Sequence, residues 1–425
     1  MVIMPEKYMK RIVDPYIEEL LGCMGALLIE GPKWCGKTRT SEEFAKSTFR
    51  IENRDQIEFL KVMIGNGMRT FLEGDTPRLI DEWQSVPSIW DAVRFEIDRR
   101  QGKRGQFILT GSSVPPRESF IHSGAGRIGR IAMRTMSLFE SGESSGHVSL
   151  CDLFNSECRI DGHSELTVEN LACALTRGGW PESLRDTQKN ASRIASLYVK
   201  AIADSDISRT YSTKKDPSAV RRIIESISRN ISTSASKETI RKDVNGAEGT
   251  MTDVTLNDHL KAMEKIFFTE NLPAWNPHMR SKTRLMKVPK WHFTDPSIAT
   301  AALRVSSDAL LSDFEAFGLL FESLCVRDLR VYSQPMDGTL SYFCNKNGHE
   351  IDLILELPGG KWGAIEVKLG GKYIDDGAKN LLKLCDDIDT EYMKPPSFLM
   401  VLTAGQFAYR RPDGVIVVPI GCLKD

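Results

Sequence analysis

The run Ala26-Leu27-Leu28-Ile29-Glu30, followed at once by Gly31-Pro32-Lys33-Trp34-Cys35-Gly36-Lys37-Thr38, constrains this chain more than any other stretch. A short apolar run that passes through two spaced glycines into Lys-Thr and then a helical pattern describes a strand, a phosphate loop and a helix. Gly31 and Gly36 let the backbone turn so that its N–H groups point inward, and the positive end of the following helix faces the anion. Lys37 is expected to reach the β and γ phosphates of ATP and the Thr38 hydroxyl to bind Mg2+, with Pro32, Lys33, Trp34 and Cys35 completing the loop. An accidental glycine turn would lack the flanking strand and helix, and both patterns are here. Trp34 and Cys35 read as filler in a loop whose backbone does the binding.

The surrounding pattern extends the strand–helix theme. From Met24 to Ile131 the short apolar runs ALLIE, TFRIEN, RLIDE and FILTG alternate with helical stretches, the signature of a parallel sheet covered on both faces. The polar stretch Ser141 to Ser149 reads as a loop or linker. Strand signals then fade, and segments such as RRIIESISRNI and LNDHLKAMEKIFF repeat at helical spacing. A helix over 314–329 precedes LSYFCN, EIDLILEL, WGAIEVKL, SFLMVLT and GVIVVPI, strands with one further helix near 376–388. The fold class is α/β in three parts: a P-loop domain over 1–150, a mainly helical domain over 151–305, and a second α/β domain over 306–425.

Composition narrows the function classes. The 56 basic and 57 acidic side chains nearly cancel, so no global field draws the chain to nucleic acid or membrane, and any such partner must be met by a local patch. The nine cysteines form no C-x-x-C pair, which argues against a zinc site or a disulfide framework and fits a reducing cytoplasm. No segment reaches the roughly 18 apolar residues of a membrane span.

PRLIDEWQ ends an apolar run in Asp81-Glu82. Two carboxylates at the C-terminal end of a strand suit a division of labour in which Asp81 holds the Mg2+ shell and Glu82 polarises the attacking water, although such a pair can also be a solvated loop start. FILTGSS ends similarly, placing the Ser112 hydroxyl where it could sense the γ phosphate. GAGRIGRIAMR offers Arg127 and Arg130, either of them a candidate arginine finger against a neighbouring subunit's nucleotide or a plain surface charge.

The series GPKWCGKT, LIDEWQ, FILTGSS and AGRIGR, continued by RGGWPES at 177–183, resembles a large prokaryotic family of AAA+-type ATPases that carry a C-terminal restriction-endonuclease-like domain. The resemblance covers nearly the whole chain. It implies an ASCE-type strand order, in which the acid pair sits on a strand that does not directly follow the phosphate loop. Arg78, just before Leu79-Ile80-Asp81, departs from the usual apolar run.

In the middle part, helical patterns near 219–231, 237–244 and 253–268 lead into HMRSKTRLMKVPKWHF, an order that resembles a winged helix with a basic wing. Arg280, Lys282, Arg284, Lys287 and Lys290, with Trp291 and His292 beside them, would suit phosphate contacts to a nucleic-acid backbone, DNA more than RNA. A solvated hairpin or a domain-docking surface would use the same residues. In the last part, Glu322, Asp352, Glu366 and Lys368 match what a PD-(D/E)xK nuclease needs, and period-two alternation puts Glu366 and Lys368 on one strand face. Asp352 and Glu366 would bind Mg2+, Glu322 would complete the acidic cluster, and Lys368 would act on the attacking water. The first reading is an ATPase coupled to a DNA-binding, DNA-cleaving half, in a possible homo-oligomer. Its alternatives are a non-cleaving ATP-dependent switch or scaffold and, third, a small-molecule kinase.

Overall fold

The structure is a computed structural model that describes residues 8–112, 123–155, 160–207, 216–246, 249–275, 288–388 and 394–425. The chain divides into two compact units, residues 1–134 with 265–267 and residues 135–264 with 268–425.

The first unit is built on a five-stranded parallel sheet. Its strands are β1 (Ala26–Glu30), β2 (Ser47–Arg50), β3 (Arg78–Asp81), β4 (Phe107–Gly111) and β5 (Ile128–Ala132), in the order β2-β3-β4-β1-β5. Every pairing is parallel, so each connection must cross over. Helices α1 (Asp14–Cys23), α2 (Lys37–Phe44), α3 (Arg54–Gly65) and α4 (Ile89–Arg99) occupy the crossovers and the N-terminal flank. Leu28 packs on one face with Ile80 and Leu109, under Leu60 of α3 and Trp90, Val93 and Ile97 of α4. Leu27 and Ile29 pack on the other face with Leu79 and Ile108, against Ile17 and Leu21 of α1. Burial on both faces is why these strands read as unbroken apolar runs rather than alternating ones. Each such leucine contributes about 1.5–3 kcal/mol of burial.

One strand was missed as a strand. The segment expected only to supply Arg127 and Arg130 forms β5, the sheet edge beside β1. Arg78, the departure at the start of β3, is absorbed by the fold: its guanidinium donates to the Phe71 carbonyl at 2.9 Å and to Ser47 Oγ at 2.9 Å.

The second unit joins helices to a mixed sheet. Its helices begin with α5 (Val168–Arg177), α6 (Gln188–Ala201), α7 (Pro217–Arg229), α8 (Lys237–Asn245) and α9 (Asp253–Lys265). They continue with α10 (Ser297–Leu303), α11 (Ser307–Ser312), α12 (Phe314–Ser333) and α13 (Ile374–Asp387). Strand β6 (Val148–Ser149) pairs with the last strand, β14 (Leu423–Lys424), and Ser144 Oγ donates to the Leu423 carbonyl at 2.6 Å. The Ser141–Ser149 stretch is thus tied to the chain's last residues. The main sheet holds β7 (Gly162–His163), β8 (Thr339–Cys344), β9 (Glu350–Glu356), β10 (Trp362–Lys368), β11 (Phe398–Thr403), β12 (Phe407–Arg410) and β13 (Ile416–Pro419), ordered β7-β12-β13-β11-β10-β9-β8. Strands β10, β11 and β13 run parallel, with α13 as the crossover between the first two, and the outer pairings are antiparallel.

The RGGWPES stretch has a structural job in this unit. Gly179 N–H donates to Asp295 Oδ2 at 3.0 Å, Met136 N–H donates back to the Gly179 carbonyl at 2.7 Å, and Trp180 Nε1 donates to Ser297 Oγ at 3.0 Å. A Cβ at Gly179 would lie 2.1 Å from the Met136 carbonyl oxygen, so no side chain fits there. Buried Arg327 of α12 completes the knot, reaching Asp295 at 3.2 Å and Asp328 at 2.7 Å. Because one guanidinium bridges both carboxylates, neither acid of this buried cluster stands as an isolated ion.

Candidate nucleotide site and an acid–lysine cluster

The parallel register gathers the first site at one end of the sheet. Ile29 on β1 lies level with Thr110 on β4, and Thr110 lies level with Asp81 on β3. The phosphate loop leaves β1 one residue beyond that row. Gly31 has φ 152° and a Cβ there would meet the Met133 carbonyl oxygen at 2.1 Å, while Gly36 starts α2 at φ 97°. Both positions need glycine for backbone reasons, as the phosphate-cradle reading expects. Lys37 is buried and curls over its own loop, donating from Nζ to the carbonyls of Gly31 at 2.9 Å and Pro32 at 2.6 Å. Thr38 Oγ1 donates to Asp81 Oδ1 at 3.2 Å, and the Thr110 hydroxyl donates to the same oxygen. Thr110 was not singled out from the sequence; the small polar residue closing FILTG was the available signal.

Cys35 is not filler. It is fully buried among Ile29, Ile108 and Met133, and its backbone carbonyl accepts from Arg11 at 3.0 Å. Trp34 is exposed and sits in the left-handed region at φ 67°. Lys33 is exposed and Pro32 is buried within the loop.

Glu82, like Trp34, is a non-glycine residue in the left-handed region, with φ 59° and ψ 37°, a conformation that costs about 1–2 kcal/mol. Gln84 Nε2 donates to its Oε2 at 2.6 Å. The residue is exposed, yet partial enclosure of its carboxyl, and then the Asp81 charge, hold it above the usual glutamate range against the pull of Lys37 and Lys33. Ser112 is buried one residue past the end of β4, the strand end that pairs with Glu30. Arg127 lies elsewhere. Its carbonyl accepts from Ala26 N–H at the opposite end of β1 from the loop, and its Nε donates to Asp98 at 2.9 Å. Arg130 stands midway along β5, level with Leu28, its guanidinium 4.9 Å from the Trp90 ring centre.

The C-terminal residues also come together, in company the sequence did not suggest. Asp352 on β9 accepts from the Val367 N–H at 2.8 Å and from Lys368 Nζ at 3.3 Å, and Lys368 also pairs with Glu366 on β10. Asn380 of α13 donates to Glu366 Oε1 at 2.8 Å. Burial, and then the charge of Asp352, raise Glu366 above the ordinary glutamate range against the pull of Lys368. Glu322 of α12 is raised for the same two reasons, against the pull of Lys290. An open cleft of about 400 Å³ beside this cluster is lined by Glu366, Lys368, Asp376, Lys379, Asn380 and Lys383.

Lys290 is the correction here. Expected in a basic nucleic-acid patch, its side chain is only 4% exposed, and Nζ lies 3.0 Å from Glu322, 2.7 Å from Glu350 and 3.8 Å from Asp352. Trp291 and His292 are buried as well. The sequence reading erred because charge spacing along a segment does not reveal which side of a hairpin arm faces the core. The remaining basic residues of that patch, Arg280, Lys282, Arg284 and Lys287, lie outside the described residues. Glu350, two residues before Asp352 on β9, was also missed. Among the described residues, no group of three or more His, Cys, Asp or Glu side chains is arranged to hold a metal ion, and Glu322, Asp352 and Glu366, expected to do so in the second unit, face ammonium groups.

Residues 24–141 match a family model described as an AAA domain. Two further models match the rest, both domains of unknown function: DUF8612 over 168–309 and DUF4143 over 317–423. Among solved structures, the chain is similar to the Walker-type ATPase PABY2304 of Pyrococcus abyssi, at 15% identity and a TM-score of 0.43, over 71% of this chain and 99% of that one. No curated protein matches. Among the described residues, no helix is long and apolar enough to cross a membrane.

Proposed function

We propose that the chain hydrolyses ATP in its first unit and uses that cycle to switch the binding state of its second. The observation that carries the reading is the meeting of Thr38 and Asp81 beside a loop whose Gly31 tolerates no side chain. Two hard oxygen donors next to a cradle of backbone N–H groups fit a Mg2+ nucleotide. In this reading Lys37 leaves the Gly31 and Pro32 carbonyls for the β and γ phosphates, and Thr38 and Asp81 hold Mg2+, which would neutralise charge on the phosphate oxygens. Glu82 takes the proton of the attacking water, and its raised affinity for protons suits that role. Ser112 lies at the same strand end, where the γ phosphate is expected. Arg127, at the far end of β1, would act only on a neighbouring subunit's nucleotide, so this assignment implies a homo-oligomer; Arg130 is the alternative finger.

For the second unit, the pairing of its carboxylates with Lys290 and Lys368 favours a nuclease-like fold that binds a partner without cutting it. Nucleic acid, DNA before RNA, is the partner proposed. The arms 268–275 and 288–294 support a winged-helix reading, since Leu272 pairs with Lys290 and Thr269 with Phe293 as in a hairpin that follows three helices. The cleaving alternative keeps Asp352, Glu366 and Glu322 as Mg2+ ligands and Lys368 as the group acting on water.

Phosphate release from ATP and Mg2+ by the full chain, measured for the parent and for Asp81→Asn, tests the first half. Loss in the variant is expected, and an unchanged rate would sink the site assignment. Mixed DNA and RNA incubated with Mg2+ or Mn2+, with and without ATP, tests the second half, where binding without cleavage is expected and metal-dependent cleavage would restore the nuclease reading.

A further inference from the structure

The acids that a nuclease-like fold would commit to a metal are here engaged by a lysine from a different part of the chain. Lys290 reaches them from the hairpin arm, where its backbone is pinned by a reciprocal pair: Leu272 N–H donates to the Lys290 carbonyl and Lys290 N–H to the Leu272 carbonyl, each at 2.9 Å. The same arm is fastened one strand away by Tyr342, whose hydroxyl donates to the Val288 carbonyl at 2.6 Å and whose ring lies 5.5 Å from the Lys290 ammonium. The ammonium is therefore delivered to a fixed place. Three carboxylates, from α12 and β9, converge on it within 3.8 Å. Burial costs an isolated ammonium its hydration, and the carboxylates around it offset that cost. Lysine offers three N–H donors and no lone pair while charged, so it satisfies carboxylates and ligates nothing.

We infer that Lys290 is a tethered counter-ion that occupies the acid cluster in place of a divalent cation and keeps Glu322 and Asp352 from binding one. The inference rests on the reading of Glu322, Asp352 and Glu366 as nuclease-type acids, and it adds to that reading the residue that disables them. A covalently attached cation competes at a local concentration that free metal does not reach. The cluster thereby keeps a cation among its carboxylates whatever the metal supply.

The test uses the full chain and Mn2+ alone, with free Mn2+ counted by its electron paramagnetic resonance signal. The parent is expected to bind Mn2+ weakly at this cluster, and Lys290→Met to bind it about tenfold or more tighter, the scale on which single partners tune metal sites. Lys290→Arg, which keeps the cation, should behave as the parent does. If Lys290→Met does not fold alone, pairing it with Glu322→Gln removes the most buried of the carboxylates it leaves unpaired and leaves Asp352 and Glu366 to bind. Adding Asp352→Asn to whichever variant gains affinity separates the two claims. Loss of the gain supports both, whereas a gain that survives places the metal elsewhere and overturns the acid assignment. Equal Mn2+ affinity in parent and Lys290→Met, or tight binding by the parent, overturns the role of Lys290.

Discussion

Two lysines, one in each unit, are buried and held by oxygen atoms, and the nature of those oxygens separates them. Lys37 rests on two neutral carbonyls of its own loop, Gly31 and Pro32. Lys290 rests on the carboxylates of Glu322 and Glu350. A cation held by dipoles gains by moving to a phosphate that carries full charge; a cation held by a buried carboxylate such as Glu322 loses by leaving it, because that carboxylate would be stranded in a low dielectric, whereas Glu350 keeps contact with solvent. Lys37 is poised for a ligand, and Lys290 has already found its partners. Both sit beside acids in space, yet only the first arrangement leaves the acid pair, Asp81 and Glu82, without an ammonium within hydrogen-bonding reach among the contacts described.

Substitutions that exchange or remove these partners test the contrast. Lys37→Ala should abolish ATP hydrolysis with little change in thermal stability, because only neutral carbonyls lose a partner; a large drop in Tm with preserved turnover would reverse the comparison. Glu82→Gln should still bind ATP, followed with a fluorescent analogue, but slow turnover by roughly 10²–10⁴-fold, the range for removing a general base. Turnover at the parent rate would move the base elsewhere. Lys290→Met should act in the opposite way to Lys37→Ala, leaving ATP hydrolysis intact while costing about 3–5 kcal/mol in denaturant unfolding, the expected effect of breaking a buried ion pair. A cost below 1 kcal/mol, within the range of an exposed pair, would mean that solvent reaches the cluster. The smallest stability effect belongs to Arg127→Ala, whose exposed pair with Asp98 contributes about 0–1 kcal/mol. If it serves a neighbour's nucleotide, its hydrolysis rate should nonetheless fall, and mixing with Lys37→Ala protein should recover part of it. A rate that neither falls nor depends on protein concentration assigns Arg127 to the surface.

What the sequence determined by itself is local. The phosphate loop was legible because glycine at fixed spacing, an apolar strand before it and a helix after it are all properties of neighbouring residues. The three helices before the hairpin were legible for the same reason: the apolar periodicity that marks them, as in Ile223, Ile224 and Ile227 of α7, is written within one segment. Asp352, Glu366 and Lys368 could be placed on one site because strand alternation and a short connection carry them together.

Only the tertiary structure decided what those groups meet. Thr110 reaches Asp81 because β4 inserts between β1 and β3, and strand order is a property of the crossovers rather than of any strand. Arg127, just before β5, and Arg130 within it read as exposed candidates, yet Arg127 ends up at the far end of β1 because parallel register, not sequence distance, sets which strand ends coincide. Lys290 looked like one more charge in a basic run. Its burial against Glu322, 32 residues further along the chain, follows from a hairpin arm folding over a helix and a strand, and no period within the run encodes which face of that arm turns inward. A charge in sequence is only a charge; the carboxylates that three-dimensional packing brings to it decide whether it meets a ligand or replaces one.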